Sequence, residues 1–405
     1  MLRENLTMLD SGRDSAVRSG GVNSSMRESK EKSPESNGKE NIYGFSLQDL
    51  QAVCQQPYQA KQIYNWLYTR YEKDFENMSN LPKEFRKTLH ELYSVDNLKL
   101  IAQEESSDGT RKYLFRTRDG HTFESVCIKM RDKKLDENGK IIEGEKYTFC
   151  ISSQIGCKVG CAFCFTAKGG FVRDLSCGEI VEQVVNLKKL NDLPAEKRVN
   201  IVYMGMGEPL NNFDNLIKAI KILSNLDGLS ISPKRQTIST SGISPRIHDL
   251  GKQNLGVQLA ISLHAVDDAL RSKLIPMNKT YNIKSIIDAV RAFPIDTRKR
   301  VMFEYLVIKD INDDISSAKK LLSLLNGIKA KVNLILFNPH SGAKFERPEM
   351  EKVRMFADFL TSRGLLTTIR ESKGIDISAA CGQLREKKCP RKKQFKRISS
   401  RSVSR

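Results

Sequence analysis

Apolar positions in this chain recur in two rhythms, and the rhythm changes once. From Tyr43 to about Val95 they fall at helical spacing, as in LQDLQAVC, AKQIYNWLYTRY and LPKEFRKTLHELY, which predicts a small helical domain over 43–97. Trp66, Tyr64 and Tyr68 read as the core of that domain. KYLFRTRDGHTFESVCIKM then alternates on either side of Asp119-Gly120 and predicts a β-hairpin. The charged stretch RDKKLDENGKIIEGEK, with its own Asn-Gly, predicts a solvent-exposed excursion and completes a linker over 98–146. From Tyr147 onward, apolar strands alternate with amphipathic helices. The strand candidates are YTFCISSQ, VNIVYMGM, RQTISTSG, VQLAISLHA, RVMFEYLVI, VNLILFNP and LLTTIRES; CGEIVEQVVNLKKL is the first helix, opened by a Ser176/Glu179 capping box. Further helices are read in FDNLIKAIKILSNL, IKSIIDAVRAF, ISSAKKLLSLLNGI and PEMEKVRMFADFLTSRG. Repeated βα units imply an α/β fold with parallel strands, either a barrel or a doubly wound sheet. No Gly-x-Gly-x-x-Gly follows the first strand, so a partial (βα) barrel over 147–384 is expected.

Composition adds the ends and the charge. Residues 1–42 are rich in Ser, Gly, Asn and charge and are expected to be disordered. The first forty residues lack an apolar core and carry seven acidic and seven basic residues, which argues against a secretory signal or a transit peptide. No apolar run approaches a membrane span, so a cytoplasmic location without membrane contact is expected. The formal charge is +19, and about half of it sits in the tail over 385–405, REKKCPRKKQFKRISSRSVSR, read as disordered. Two readings of this charge stand at this point: a solvated tail, or a surface that seeks phosphate and binds nucleic acid through counterion release.

The candidate chemistry begins with GCKVGCAFCFTAKGG, where Cys157, Cys161 and Cys164 form a C-x₃-C-x₂-C run. Three thiolates on one short loop can hold three irons of a cubane cluster and leave the fourth free. The alternative is three structural or zinc-bound cysteines, although a closed zinc site wants four ligands. Barrel enzymes gather their chemistry at the C-terminal strand ends. Those ends read Gly205-Met206-Gly207-Glu208-Pro209, Ser239-Thr240-Ser241-Gly242, Ser262-Leu263-His264 and Asn338-Pro339-His340, which suggests one shared pocket. On the first strand, period-2 alternation puts Thr148, Cys150, Ser152 and Gln154 on one face, expected to point into the barrel. An inert buried Cys150 is the other reading. Cys381 stands among Ala379, Ala380 and Gly382, a setting that suits thiol chemistry on a movable loop. Cys54, Cys127, Cys177 and Cys389 read as structural or surface thiols.

The C-x₃-C-x₂-C run after the first barrel strand resembles the radical S-adenosylmethionine (SAM) superfamily. Together, CISSQIGCKVGCAFCFTAKGGFVRDLSCGEIVEQV, VYMGMGEPLNN, STSGISP, LAISLHA, LFNPHSG and GIDISAACGQL resemble the RlmN/Cfr family of ribosomal RNA adenine methyltransferases, from about residue 43 to Leu384. The resemblance implies one [4Fe-4S] cluster on Cys157, Cys161 and Cys164, and two SAM molecules per turnover. It assigns SAM contacts to Gly207, Glu208, Ser239, Ser262, Leu263, His264 and Asn338. His264 is given no metal role. It also implies that Cys381 is methylated, that its methyl carbon is activated and added to adenine, and that Cys150 attacks Cys381 to release product through a transient disulfide. Glu124 matches the family's proton acceptor; otherwise it is an exposed strand carboxylate.

Implied partners are 23S rRNA in its peptidyl-transferase region, certain tRNAs at the adenine beside the anticodon, and a flavodoxin or ferredoxin as electron donor, with the enzyme a monomer. Carbon 2 of adenine is the expected target, with carbon 8 the rival. A glycyl-radical activase would not need Cys381. A non-enzyme reading is a basic RNA-binding protein with structural zinc.

Overall fold

A computed structural model describes residues 38–137, 141–296, 299–339 and 344–385. The expectations for residues 1–37, 138–140 and 386–405, and those for His340 and Cys389, lie outside the described residues.

The main sheet has ten strands: β1 (Lys99–Glu105), β2 (Arg111–Arg116), β3 (Thr122–Arg131), β4 (Lys146–Cys150), β5 (Val199–Tyr203), β6 (Gln236–Thr240), β7 (Gln258–Ser262), β8 (Val301–Val307), β9 (Ala330–Leu336) and β10 (Thr367–Arg370). They lie side by side in chain order. Pairing is antiparallel from β1 to β4 and parallel from β4 to β10. The seven parallel strands are the seven that the apolar runs predict. Each parallel crossover contains a helix, as such a connection requires. The two end strands do not pair with each other, so the barrel is partial. The sheet nevertheless curls: Arg370 Nη1 on β10 comes within 4.0 Å of Met204 Sδ, just past the end of β5.

The predicted hairpin is β2–β3, turning at Gly120 with φ +87°. A third antiparallel strand, β1, was not apparent in KLIAQEE, whose residues are neither strictly alternating nor strongly apolar. The charged excursion contains a short pairing of Lys134–Leu135 with Ile141–Glu143.

Helices α1 (Leu47–Val53), α2 (Pro57–Tyr64) and α3 (Lys83–Leu92) form the N-terminal segment. Trp66, Tyr64 and Tyr68 are buried, as predicted. Their core is continuous with that of the barrel, so the segment packs as part of one body. Its main abutment is α4 (Cys177–Leu190), which begins with the predicted Ser176/Glu179 capping box. Glu182 on α4 is fully buried; its Oε1 accepts the Asn97 and Leu98 N–H groups at 3.0 and 3.1 Å, and its Oε2 accepts Asn41 Nδ2 at 3.1 Å. Gly178 supplies the clearance, since a Cβ there would stand 2.6 Å from Asn41 Cγ.

Burial pushes the Glu182 carboxyl up to about 7 from its ordinary 4.5. The folded chain therefore binds this proton more tightly than the unfolded one. The group's stabilising contribution is complete below about 4.5 and is lost as pH rises through about 7. The uncharged variant Glu182→Gln is expected to gain thermal stability relative to wild type between pH 5 and pH 8. Melting curves at the two pH values check this; a variant-to-wild-type difference independent of pH contradicts it.

Candidate active site

Beyond Cys150 the chain leaves the sheet and forms a small antiparallel pair, Gln154–Gly156 with Phe171–Asp174, which closes the base of the cysteine loop. Only glycine fits at 156: φ is +75° and a Cβ would lie 1.9 Å from the Gly170 carbonyl oxygen. Inside the loop, the Cys157 N–H donates to Gly170 O at 2.8 Å and the Cys164 N–H to Cys161 O at 3.2 Å. The loop is tied outward as well, Ala162 N–H donating to Leu274 O at 2.9 Å and Phe165 N–H to Gly382 O at 2.7 Å.

Cys157, Cys161 and Cys164 line one cavity of about 660 Å³ at the C-terminal ends of the parallel strands. Burial pushes all three thiols up, Cys157 to about 12. As ligands they must lose their protons, and a bound cation is what makes that loss favourable in a buried setting. Among the described residues no three His, Cys, Asp or Glu side chains converge as ligands on a single ion. Three thiols are one short of a closed tetrahedral zinc site and match a cubane held at three irons with the fourth left open.

The predicted strand-end residues meet here. Gly207, Glu208, Ser239, Ser262 and His264 all line the cavity. Gly207 has φ +100° and a Cβ there would stand 2.5 Å from Gln154 Cβ, so the backbone passes flush against the first strand's extension. The Glu208 carboxylate is fixed by three donors: Ser241 N–H at 2.7 Å, Ser241 Oγ–H at 2.8 Å and Leu210 N–H at 3.1 Å. Burial raises its carboxyl and these donors oppose the rise. His264 sits at φ +59° and accepts the Leu306 N–H at Nδ1, 3.0 Å. Burial lowers it to about 3, so it is a neutral, structurally bonded imidazole.

Two predicted cofactor contacts are not on the cavity wall. The Leu263 side chain is in the core and its carbonyl accepts Arg271 Nε at 3.0 Å. Asn338 donates Nδ2–H to Ser372 Oγ at 2.9 Å and accepts Arg347 Nη1–H at 3.1 Å.

Cys150 and Thr148 face the cavity, as alternation predicts. Ser152 and Gln154 do not, because the strand ends at Cys150 and the alternation ends with it. Instead Ser152 Oγ donates to Glu124 O at 2.6 Å and accepts the Met206 N–H at 2.8 Å, while Gln154 Oε1 accepts the Glu208 N–H at 2.8 Å. Cys381 is exposed and lines the same cavity, with Arg370 on the wall beside it. Cys150, by contrast, is buried and its thiol is pushed up to about 12. All eight described cysteines are free.

Glu124 is not the exposed strand carboxylate that its alternating segment suggests. It is 1% exposed, 3.5 Å from Lys112 Nζ, and accepts the Arg385 N–H at 3.0 Å. The cover is the Cys381 loop, which folds back onto β1–β3. Lys112 donates to the Ile377 carbonyl, Gly374 N–H to Asp108 at 2.9 Å, and Ser106 Oγ–H to Asp376 at 2.6 Å.

Sequence reasoning missed Arg271, on the short helix α5 (Asp268–Leu274) between β7 and β8. Its guanidinium is fully buried and donates to Leu263 O, Ser262 O and Ser241 O at 3.0, 3.0 and 2.5 Å, and to Asn278 Oδ1 at 2.9 Å. It staples two neighbouring strand ends behind the cofactor wall, and its charge favours the Cys161 thiolate. No sequence pattern marks it, since RSKL is an ordinary charged stretch. Charge-assisted bonds of this kind contribute ~1.5–3 kcal/mol each. Arg271→Met should therefore lower the melting temperature of the purified chain by about 5 °C, given a cost of about 4 kcal/mol for orphaned buried carbonyls. Unchanged melting contradicts the staple.

Comparisons with known proteins place this geometry. The Radical SAM superfamily model matches residues 151–322, and the model described as the ribosomal RNA large subunit methyltransferase N-terminal domain matches residues 40–95. The open barrel and its cysteine loop thus define a radical SAM enzyme, a class that implies a [4Fe-4S] cluster and SAM. Within it, the chain belongs to the RlmN family of dual-specificity RNA methyltransferases. It is 69% identical over 347 residues to the dual-specificity RNA methyltransferase RlmN of Wolinella succinogenes, covering 86% of this chain and 97% of that one. It is 66% identical over 346 residues to the Helicobacter hepaticus protein of the same name, covering 85% and 94%. A crystal structure of a radical SAM methyltransferase from Sphaerobacter thermophilus matches with a TM-score of 0.76 and 38% identity, over 85% of this chain and 99% of that one. Among the described residues no helix is long and apolar enough to cross a membrane.

Proposed function

We propose that this enzyme methylates carbon 2 of an adenine in the peptidyl-transferase region of 23S rRNA, and the adenine beside the anticodon in some tRNAs, using Cys381 as the methyl carrier and two SAM molecules per turnover. The observation that carries this reading is the meeting of Cys150, Cys381 and the three-cysteine loop at one cavity, from three distant parts of the chain. The dual-specificity name of the relatives supports two RNA substrates. The net charge of +19 suits an RNA partner.

Cys157, Cys161 and Cys164 would hold the cluster, and Gly207, Glu208, Ser239, Ser262 and His264 the SAM beside it. Leu263 would contribute through its backbone, and Asn338 after releasing Ser372 or Arg347. When bound, cluster and SAM supply the one-electron chemistry that opens an unactivated C–H bond. The remaining work falls to side chains. Cys381, exposed at the cavity mouth, takes a methyl group from SAM as a thiolate, forming a C–S bond as the sulfonium becomes a thioether. The detour through sulfur answers a chemical problem: an amidine carbon of adenine is electrophilic and does not accept a methyl cation. Once the methyl carbon carried on the Cys381 sulfur is joined to the adenine, the ring proton passes to Glu124, which lies under the Cys381 loop and not on the cavity wall. One electron also leaves, which a bound cluster would accept. Cys150, as a thiolate, attacks the Cys381 sulfur: the S–S bond forms as the S–carbon bond breaks, the carbon leaves with the electron pair and takes a proton to become the methyl group, and an external thiol later reduces the disulfide. The target base must leave its stack to reach this depth.

The reading places the enzyme in the cytoplasm as a monomer, reduced by a ferredoxin or flavodoxin. Anaerobic incubation with SAM, reductant and either RNA, followed by nucleoside mass spectrometry, tests it. 2-Methyladenosine in both RNAs is expected; 8-methyladenosine, or no methyladenosine, overturns it.

A further inference from the structure

One polar rung on the inner wall of the barrel enters the chemistry above only at its Ser262 end. Ser262, Glu304, Asn333 and Thr368 stand in register on β7, β8, β9 and β10, and all four line the cavity. Thr368 Oγ–H donates to Asn333 Oδ1 at 2.6 Å, and Asn333 Nδ2–H donates to Glu304 Oε1 at 3.1 Å. Arg370 Nη1 stands 4.0 Å from the same oxygen. The hydrogen bonds thus run in one direction and end on Oε1. Glu304 is 3% exposed, yet its second oxygen, Oε2, is buried and has no hydrogen-bond partner among the described residues. Native proteins pair nearly all such groups, because leaving a buried carboxylate oxygen unmet is costly. Glu304 thus lines the cavity with one carboxylate oxygen supported and the other buried beside it without a partner among the described residues.

We infer that Glu304 receives a ribose hydroxyl of a nucleoside bound in this cavity. The choice of hydroxyl follows from the carboxyl's setting. Burial pushes Glu304 up, while Arg370 and Asn333 oppose the rise. A hydroxyl donates to a carboxylate and accepts from a carboxylic acid, so it satisfies either form. An exocyclic amine can only donate and a ring nitrogen or carbonyl can only accept, so neither plays both parts as a hydroxyl does. Two nucleosides enter this cavity on the methyltransferase reading, on which the inference rests: that of SAM and that of the target nucleotide. The rung reaches toward both. Ser262 at one end lies 3.5 Å from Ser239, in the wall assigned to SAM, while Arg370, next to the Thr368 end, approaches Cys381.

The test is equilibrium binding to the anaerobic holoenzyme, with SAM, its 2′-deoxy and 3′-deoxy analogues, and an RNA hairpin carrying adenosine or 2′-deoxyadenosine at the target position. Glu304→Gln is expected to weaken one ligand by about tenfold or more, as for a buried hydrogen bond to a charged group. The matching deoxy ligand should bind the wild type correspondingly weakly and be nearly insensitive to the substitution. Weakening confined to SAM assigns the contact to the cofactor ribose, and weakening confined to the hairpin assigns it to the substrate. Should the variant not fold, the deoxy ligands on wild-type protein decide alone. If deoxy and ribo ligands bind equally, the assignment is wrong while the methyltransferase reading stands. Wild-type protein that binds neither SAM nor hairpin overturns both.

Discussion

Cys381→Ala is expected to abolish RNA methylation, a loss of at least about 10⁴-fold, while leaving iron content and visible absorbance unchanged. The magnitude follows from the role: removing a covalent nucleophile whose partners have no other means of carrying the carbon costs several orders of magnitude. The unchanged cluster follows from the position. Cys381 is on a separate loop over 374–385 that meets the cysteine loop through backbone and hydroxyl contacts, Phe165 N–H to Gly382 O at 2.7 Å and Thr166 Oγ–H to Leu384 O at 2.6 Å. Intact mass of wild-type protein incubated with SAM should show one added methyl group, absent in the variant. A variant that still methylates RNA removes the carrier role.

Cys150→Ala has a different expected signature. It leaves Cys381 able to accept the methyl group and join its carbon to adenine, and it blocks release. Turnover should fall about 10³-fold or more, with RNA accumulating in covalent linkage to protein, visible as a retarded band that survives denaturation and is lost on nuclease treatment. The burial of Cys150 suits the role. Its thiol is pushed up to about 12 by burial, so it stays protonated until a nearby cation or a base activates it. Arg370 on the same wall acts in that direction. Free, unlinked RNA from Cys150→Ala at wild-type rates would contradict the assignment.

Much of this site is legible in the chain itself, because its parts are local. Three cysteines within eight residues announce themselves, and the seven apolar strands with polar ends place a pocket at one rim of a parallel sheet. Period-2 alternation along YTFC suffices to turn Cys150 inward. The same rule fails two residues later, since Ser152 and Gln154 lie past the strand's end and bind backbone instead.

What sequence does not reveal is long-range cover. Glu124, apart from the family match, reads as an exposed strand carboxylate, yet a loop more than two hundred residues away covers it. Glu182 reads as the polar face of an amphipathic helix, but three donors from the N-terminal segment converge on it. Arg271 and Glu304 are ordinary charged letters within RSKL and FEYL, and only the tertiary fold shows one stapled to three carbonyls and the other lining a cavity with one buried, unmet oxygen. Short elements were also hard to see. The helices Ser244–Lys252 and Asp268–Leu274 span too few turns for apolar periodicity to stand out.

Everything proposed for the cavity depends on what the three-thiol loop holds. Iron, acid-labile sulfide and zinc measured on anaerobically purified and reconstituted protein settle that most directly. About four irons and four sulfides per chain are predicted, falling sharply when Cys157, Cys161 or Cys164 is replaced by Ala. One zinc per chain with no sulfide would contradict it.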